Sequence, residues 1–269
     1  VDSPDDVGLG GGVPDQSHRR NLEQVALATL AVGRVLMQCG ARGQVVRTGC
    51  ALVARGLGAT QIDTRAGYSS IEVTVRDGDA SVTRMTSVAA IGVNHRLDQA
   101  VRRLARGAAD RTPAAVVADL EQLQAATPRH PPWLVAVAVG LACAAFGKLI
   151  GVDWPAFPAV AVAAGIGQYL RHQLLHRGVN VFVMAVVVAF VAAALGVLGA
   201  RAMGSATAYT AMIASILLLV PGVPALNAQS DIIEGDPTLG SARAVWVAML
   251  LIFVVAGVVI AQALTGATP

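Results

Sequence analysis

The chain has 269 residues, of which 55% are hydrophobic, 14% charged and 4% aromatic. That composition excludes a disordered chain and, without a glycine period, a collagenous one; three isolated cysteines, Cys39, Cys50 and Cys143, exclude a disulfide framework or a Cys-rich zinc fold. Residues 1–130 carry 15 Arg and 13 Asp or Glu, whereas residues 131–269 carry only nine charged side chains, too few for a solvated surface and suited to a bilayer.

The net charge of +3 does not point to nucleic acid. In the first half the bases exceed the acids by two and are interspersed with them, without the clustered stripe or stacking platform that nucleic acid requires. The one dense patch, Arg96 to Arg111, lies next to the apolar half and reads as a solvated helix face near anionic lipid headgroups.

In chain order, residues 1–20 are rich in Asp, Gly and Pro without an apolar period and read as a disordered tail. A helix is expected around 22–38, with Leu22, Val25, Ala26, Leu30, Gly33, Leu36 and Met37 on one stripe and Gly40 at its end. A second spans roughly 43–57, its inward face formed by Val46, Gly49, Cys50, Val53 and Leu57. Ile71, Val73 and Val75 then alternate with Glu72, Thr74 and Arg76 as a half-buried strand. Asp77-Gly78 signals a hairpin, Ser81–Thr86 forms the returning strand, and a short strand at 61–65 precedes them. Helices follow near 95–107 and at 113–126, the latter opened by Thr112 as N-cap and Pro113 at its first position. Residues 127–132 form a stiff, proline-rich connector. The expected arrangement is a tail (1–20), a small α+β cytoplasmic domain (21–127) and a transmembrane domain (128–269).

Runs nearly free of charge predict five transmembrane helices near 132–150, 154–170, 178–200, 202–226 and 244–264, each close to the ~20 residues that cross the hydrocarbon core. With the N-terminus cytoplasmic, Arg129, Arg171, Arg177 and Arg243 lie inside and only Lys148 and Arg201 outside, which sets the C-terminus outward. Near Val1 there is no positively charged n-region followed by an apolar h-region, so translocation of the first half is not expected. The small-residue pairs Ala161/Gly165, Ala192/Gly196 and Gly257/Ala261 are expected to pack helix against helix. His172 and His176 share a helix face but lack a third ligand and read as interfacial anchors rather than a metal site. Lys148 and Asp153 are expected to form a local ion pair.

The first half shows no metal-ligand cluster, nucleophile elbow or phosphate loop; the glycine run 8–12 is not a strand–turn–helix fingerprint. Cys39 and Cys50 sit in apolar helical stripes and read as buried. No catalytic residue, metal or cofactor is expected, and the protein is not read as an enzyme.

The informative segment is Ser215–Arg243. Pro221, Gly222 and Pro224 interrupt an apolar run, so the helix must kink or break. Backbone freed at membrane depth is tolerated only where protein buries it or where it lines a wet cavity. Asn227, Asp231, Glu234 and Asp236 follow, and Gly235 and Gly240 allow a sharp return. Two readings stay open: a cytoplasmic loop with solvated acids, or a translocation path lined by Asn227 and Asp231, since ionisable residues at a membrane boundary are functional candidates.

The helix Ala31-Val32-Gly33-Arg34-Val35-Leu36-Met37-Gln38-Cys39-Gly40-Ala41 and the pattern Val220-Pro221-Gly222…Asn227…Asp231…Gly235-Asp236…Gly240…Arg243 resemble the threonine/serine exporter family of bacterial inner-membrane proteins, over roughly residues 22–264. The resemblance implies an exporter and carries Pro221, Gly222, Asn227, Asp231, Asp236 and Arg243 onto the substrate path. The broken fourth span followed by acids adds Glu234 and makes a proton-driven secondary exporter of small polar metabolites the leading expectation, with Asp231 or Glu234 as proton-coupled carboxylates. Family members look like ten-span exporters, so five spans imply the larger half of a two-chain version, partnered by a second five-span subunit in an oligomeric assembly. Split members are associated with dicarboxylate (succinate) export and fused ones with threonine and serine export. Threonine- and serine-type amino acids are the expected substrates; the alternatives are a dicarboxylate (succinate) export subunit, a membrane-anchored interaction or regulatory protein, and a passive channel.

Overall fold

The stripe begun by Leu22 and ended at Met37 is the buried face of α1 (Gln16–Gln38) in the computed structural model, which describes residues 16–88, 92–128 and 130–268. Helix α1 starts a turn and a half earlier than the apolar period announces, so residues 16–20 are helical rather than part of a tail; residues 1–15 lie outside the described ones. Those first residues are exposed, so no periodicity marks them. A polar contact is made there instead: His18 lies 3.5 Å from Asp77, and just beyond the segment Glu23 pairs with Arg84.

Contacts divide the chain into two units, one running to Thr127 and taking in Ser230–Gly240, the other holding Pro128–Gln229 and the residues from Ser241 onward. In the first unit, α1 is followed by α2 (Gly43–Gly56), the strands β1 (Gln61–Ala66), β2 (Ser70–Asp77) and β3 (Ala80–Ser87), and the helices α3 (His95–Arg106) and α4 (Pro113–Ala126). The strands form an antiparallel meander in the order β1-β2-β3. Ile71, Val73 and Val75 are buried while Glu72, Thr74 and Arg76 turn away, the two-residue period of a sheet with one wet face. Asp77 pairs with Ala80 across a two-residue turn whose first member, Gly78, has φ +55°, the left-handed conformation such hairpins require. Thr112 accepts a hydrogen bond from the Ala115 amide, and Pro113 opens α4 as expected.

The core joins α1, α2, α4 and the sheet through Leu36, Met37, Val46, Val53, Ile71 and Leu120. Gly33 permits a close approach: a β-carbon there would stand 2.7 Å from the Cys50 sulfur and 2.5 Å from Ile71 Cδ1. Cys39 and Cys50 are buried free thiols. Burial, assisted by the Asp98 charge, pushes the Cys39 thiol up to about 11. Burial pushes Cys50 to about 12, against a smaller opposing effect of its hydrogen bond with Thr64. Because the thiolate is the nucleophile and forms only as pH rises through these values, maleimide labelling of both at pH 8 should be more than about a hundredfold slower than for a free cysteine peptide. Peptide mass spectrometry before and after guanidinium unfolding checks this; native labelling at the unfolded rate would contradict it.

The second unit comprises α5 (Pro132–Leu149), α6 (Phe157–His176), α7 (Val181–Ala202), α8 (Ala208–Ser215), most of α9 (Gly222–Ile233) and most of α10 (Pro237–Thr265). Among the described residues α5, α7 and α10 are long and apolar enough to cross a membrane, and α8 with α9 makes a fourth candidate if the bent pair is one span. The expected fifth, 154–170, differs in both place and character: α6 begins only at Phe157 and runs on to His176, and its second half carries Gln168, Arg171, His172 and Gln173.

Small residues bring these helices together. A β-carbon on Gly140 of α5 would strike the Ala161 carbonyl of α6 and stand 3.2 Å from the Gly165 amide nitrogen. One on Gly196 of α7 would strike Ser215, and one on Gly257 of α10 the Val186 carbonyl of α7. The His172 and His176 rings lie parallel, 6.3 Å apart. Lys148 and Asp153 do not form the expected ion pair. Lys148 donates to the Val152 carbonyl and stands 4.6 Å from the Trp154 ring centre. Asp153 instead accepts from the Ser205 hydroxyl at 2.7 Å and from the Ala156 and Ala206 amides, tying the α5–α6 loop to the α7–α8 loop. The Ser205 hydroxyl, ahead of the two amides, holds its carboxyl below the usual carboxylate range. Several donors converging on one carboxylate satisfy it better than a single flexible lysine.

Candidate functional site

Helix α8 ends at Ser215, tightens into a 3₁₀ turn at Leu217–Leu219 and stops at Val220, which is extended (φ −67°, ψ 117°). Pro221 is the cause: its ring excludes the residue before it from helical geometry. The chain re-enters a helix at Gly222, bent 62° from the preceding segment, with the Pro221 carbonyl accepting from the Ala225 amide at 3.0 Å. Pro224 sits in the first turn of α9, where a missing N–H costs nothing. A β-carbon on Gly222 would meet nothing within 4 Å, so the backbone there is open to approach.

The far end of α9 closes in a Schellman motif. The Asp236 amide donates to the Asp231 carbonyl at 2.7 Å and the Gly235 amide to the Ile232 carbonyl, with Gly235 at φ +92°, the left-handed residue that terminates many helices. Asp236 then precedes Pro237, the first residue of α10, and its carbonyl accepts from the Gly240 amide at 2.9 Å.

Three carboxylates of this turn meet the start of α2, all within the first unit. Asp231 is 0% exposed, and its Oδ1 accepts from the Gly43 amide at 2.8 Å. The Arg42 guanidinium donates to Glu234 at 2.6 Å, and that of Arg47 to Asp236. A β-carbon on Gly43 would strike the Asp236 carboxylate and stand 3.2 Å from Leu239 Cδ2, so glycine is what lets the turn close on the helix. A buried carboxylate is costly unless hydrogen-bonded, and a helix N-terminus offers unpaired amides and a partial positive charge.

The structure thus gathers Asp231, Glu234 and Asp236 and assigns Pro221, Gly222, half-buried Asn227 and Arg243, 5% exposed, to the second unit. Arg42, Gly43 and Arg47 were not legible as site residues. The available signal was an absence: α2 begins without Ser, Thr, Asp or Asn at its N-cap, and Arg42 makes no side-chain cap bond, so the cap comes from elsewhere in the chain. Among the described residues no group of three or more His, Cys, Asp or Glu could hold a metal ion.

Residues 28–265 match the family described as "Putative threonine/serine exporter", a stretch that includes both the Ala31–Ala41 helix and the Val220–Arg243 segment. A Klebsiella aerogenes protein named "Probable succinate transporter subunit YjjP" is 30% identical over 249 residues, covering 91% of this chain and 96% of that one. Its Escherichia coli K12 namesake is 29% identical over 263 residues, with the same coverage. No solved structure matches. With the match extending from the first helix of the α+β unit to the last apolar helix, the chain is a multi-pass membrane protein and belongs to the threonine/serine exporter family.

Proposed function

We propose that this chain is the larger subunit of a two-chain secondary exporter in the bacterial inner membrane, that it moves small carboxylate-bearing metabolites outward, and that the proton gradient drives it. The observation that carries this reading is the break at Val220–Pro221 in an otherwise apolar helix pair. Discontinuous helices build substrate sites in many secondary transporters, with half-helix N-termini facing anionic groups. The open backbone at Gly222 begins such a half-helix, and Pro221, Gly222 and Asn227 line the path.

Five crossings are supported by parity. Ser230–Gly240 belongs to the same unit as the residues before Thr127, so an even number of crossings separates Thr127 from Ser230. Helices α5, α6, α7 and the broken α8–α9 supply four, which makes α6 a span despite its polar second half, and α10 the fifth. Snorkelling of Arg171 toward the headgroups relieves the cost. The basic residues then set the α+β unit in the cytoplasm and the C-terminus outward.

Dicarboxylates of the succinate type are the first substrate class, because both relatives of matching length bear that name; threonine and serine, in the family's description, are the second. Cells lacking their own exporters for both, loaded with labelled succinate or threonine and expressing this chain with a second subunit, test the reading. Succinate should appear outside well above the empty-vector level, a protonophore should stop it, and this chain alone should not sustain it. Secretion of neither substrate by the pair would overturn the proposal; threonine without succinate would reverse the order of substrates.

A further inference from the structure

We infer that Asp231, Glu234 and Asp236 form a clasp rather than a proton relay: they fasten the turn between α9 and α10 to the start of α2, with Arg42, Gly43 and Arg47 as the positioning residues opposite them. Each carboxylate has its own partner. Asp231 caps the helix through the Gly43 amide at 2.8 Å, Glu234 takes Arg42 at 2.6 Å, and Asp236 takes Arg47. The pairings are separated by 188 to 192 residues in sequence, so chain connectivity does not enforce them. The absence of a local cap on α2 leaves amides that an imported carboxylate satisfies, and charge-assisted bonds of this kind are the stronger ones. The absence of a side chain on Gly43, which would collide with Asp236, allows the approach.

Helix α9 is continuous from Gly222 to Ile233, and the clasp holds its last turn together with the turn that follows it. Asp231, buried against a backbone amide, is a positioning residue for the start of α2.

Hydrogen exchange of the full chain in detergent, read by mass spectrometry, tests the clasp without reference to transport. Asp231→Ala should speed exchange across residues 43–50 several-fold, because loss of an N-cap frees the first turn. Asp231→Asn, which keeps an acceptor oxygen in the same place, should protect those amides as wild type does. Asp236→Arg or Arg47→Asp alone should loosen residues 230–240, and the double exchange should restore them, while peptides from α5 and α7 report that the rest of the fold is intact. The inference is overturned if Asp231→Ala leaves exchange unchanged, if Asp231→Asn behaves like Asp231→Ala, or if the double exchange is no better protected than either single. A second arm rests on the exporter reading. In the same variants the maximal export rate should fall several-fold with the half-saturating substrate concentration unchanged; a changed half-saturation would assign these residues to the substrate instead. Failure of wild type to export would count against the exporter reading and leave the exchange test standing.

Discussion

Replacing Gly257 by Ala should remove most of the folded protein from the membrane. The added carbon would lie against the Val186 carbonyl, 2.9 Å from Ala189 Cβ and 3.0 Å from the Phe190 nitrogen. Two of those three neighbours are backbone, which no rotamer change can move, so α10 must separate from α7. Overpacking costs about 1–3 kcal/mol, and in lipid the lost helix contact is not regained by a hydrophobic driving force. Gly140→Ala is expected to behave similarly, because it meets the Ala161 carbonyl head-on. Gly165→Ala is the internal comparison: its carbon would approach the Ala136 carbonyl at 3.3 Å, close enough to need only a small adjustment. The folded yield in mild detergent should therefore fall by about tenfold or more for Gly257→Ala and Gly140→Ala and change little for Gly165→Ala. Equal yields for all three would contradict the packing described.

The second large effect concerns activity with the fold kept. Pro221→Ala alone should not straighten the break, because Pro224 would then stand in a helix interior, clashing with the Val220 carbonyl four residues earlier. The triple replacement Pro221→Ala, Gly222→Ala and Pro224→Ala removes every local obstacle. Pro costs about 3 kcal/mol and Gly about 1 kcal/mol relative to Ala inside a helix, so several kcal/mol then favour one continuous rod from Ala208 to Ile233. The variant should accumulate and melt at least as well as wild type. Its export should fall by about a hundredfold, the cost of misplacing a positioned group by an ångström or so. Wild-type export from a straightened helix would remove the break from the transport path.

Much of the α+β unit was legible because its signals are local. The alternation at Ile71–Val75, the Asp77-Gly78 turn and the Thr112–Pro113 helix start each lie within a few residues, and the structure forms all three. The halt at Pro221 is equally local, since proline acts on its immediate neighbour. What escaped depends on distant partners. The exposed first turn of α1 is met by Asp77, which stands 3.5 Å from His18 and leaves no trace in residues 16–20. Asp153 looks like a counter-ion for Lys148 until the Ser205–Ala206 loop is brought beside it. Asp231, Glu234 and Asp236 stand out in the sequence as acids at the end of an apolar run, yet their partners lie near the other end of the chain. The run 154–170 reads as a span because it carries no charge, but α6 runs on to His176 through Gln168, Arg171, His172 and Gln173 and is not among the helices apolar enough to cross a membrane by composition.

The most direct test of a substrate-carrying exporter is counterflow in proteoliposomes that contain this chain and the second subunit proposed for it. Vesicles are loaded with unlabelled succinate and diluted into trace labelled succinate. A carrier built around the break should drive transient accumulation of label above the equilibrium level, and the triple alanine variant should abolish it. Label that only equilibrates would identify a passive channel, and vesicles that take up none would leave the spans as an anchor; either result would contradict the exporter reading.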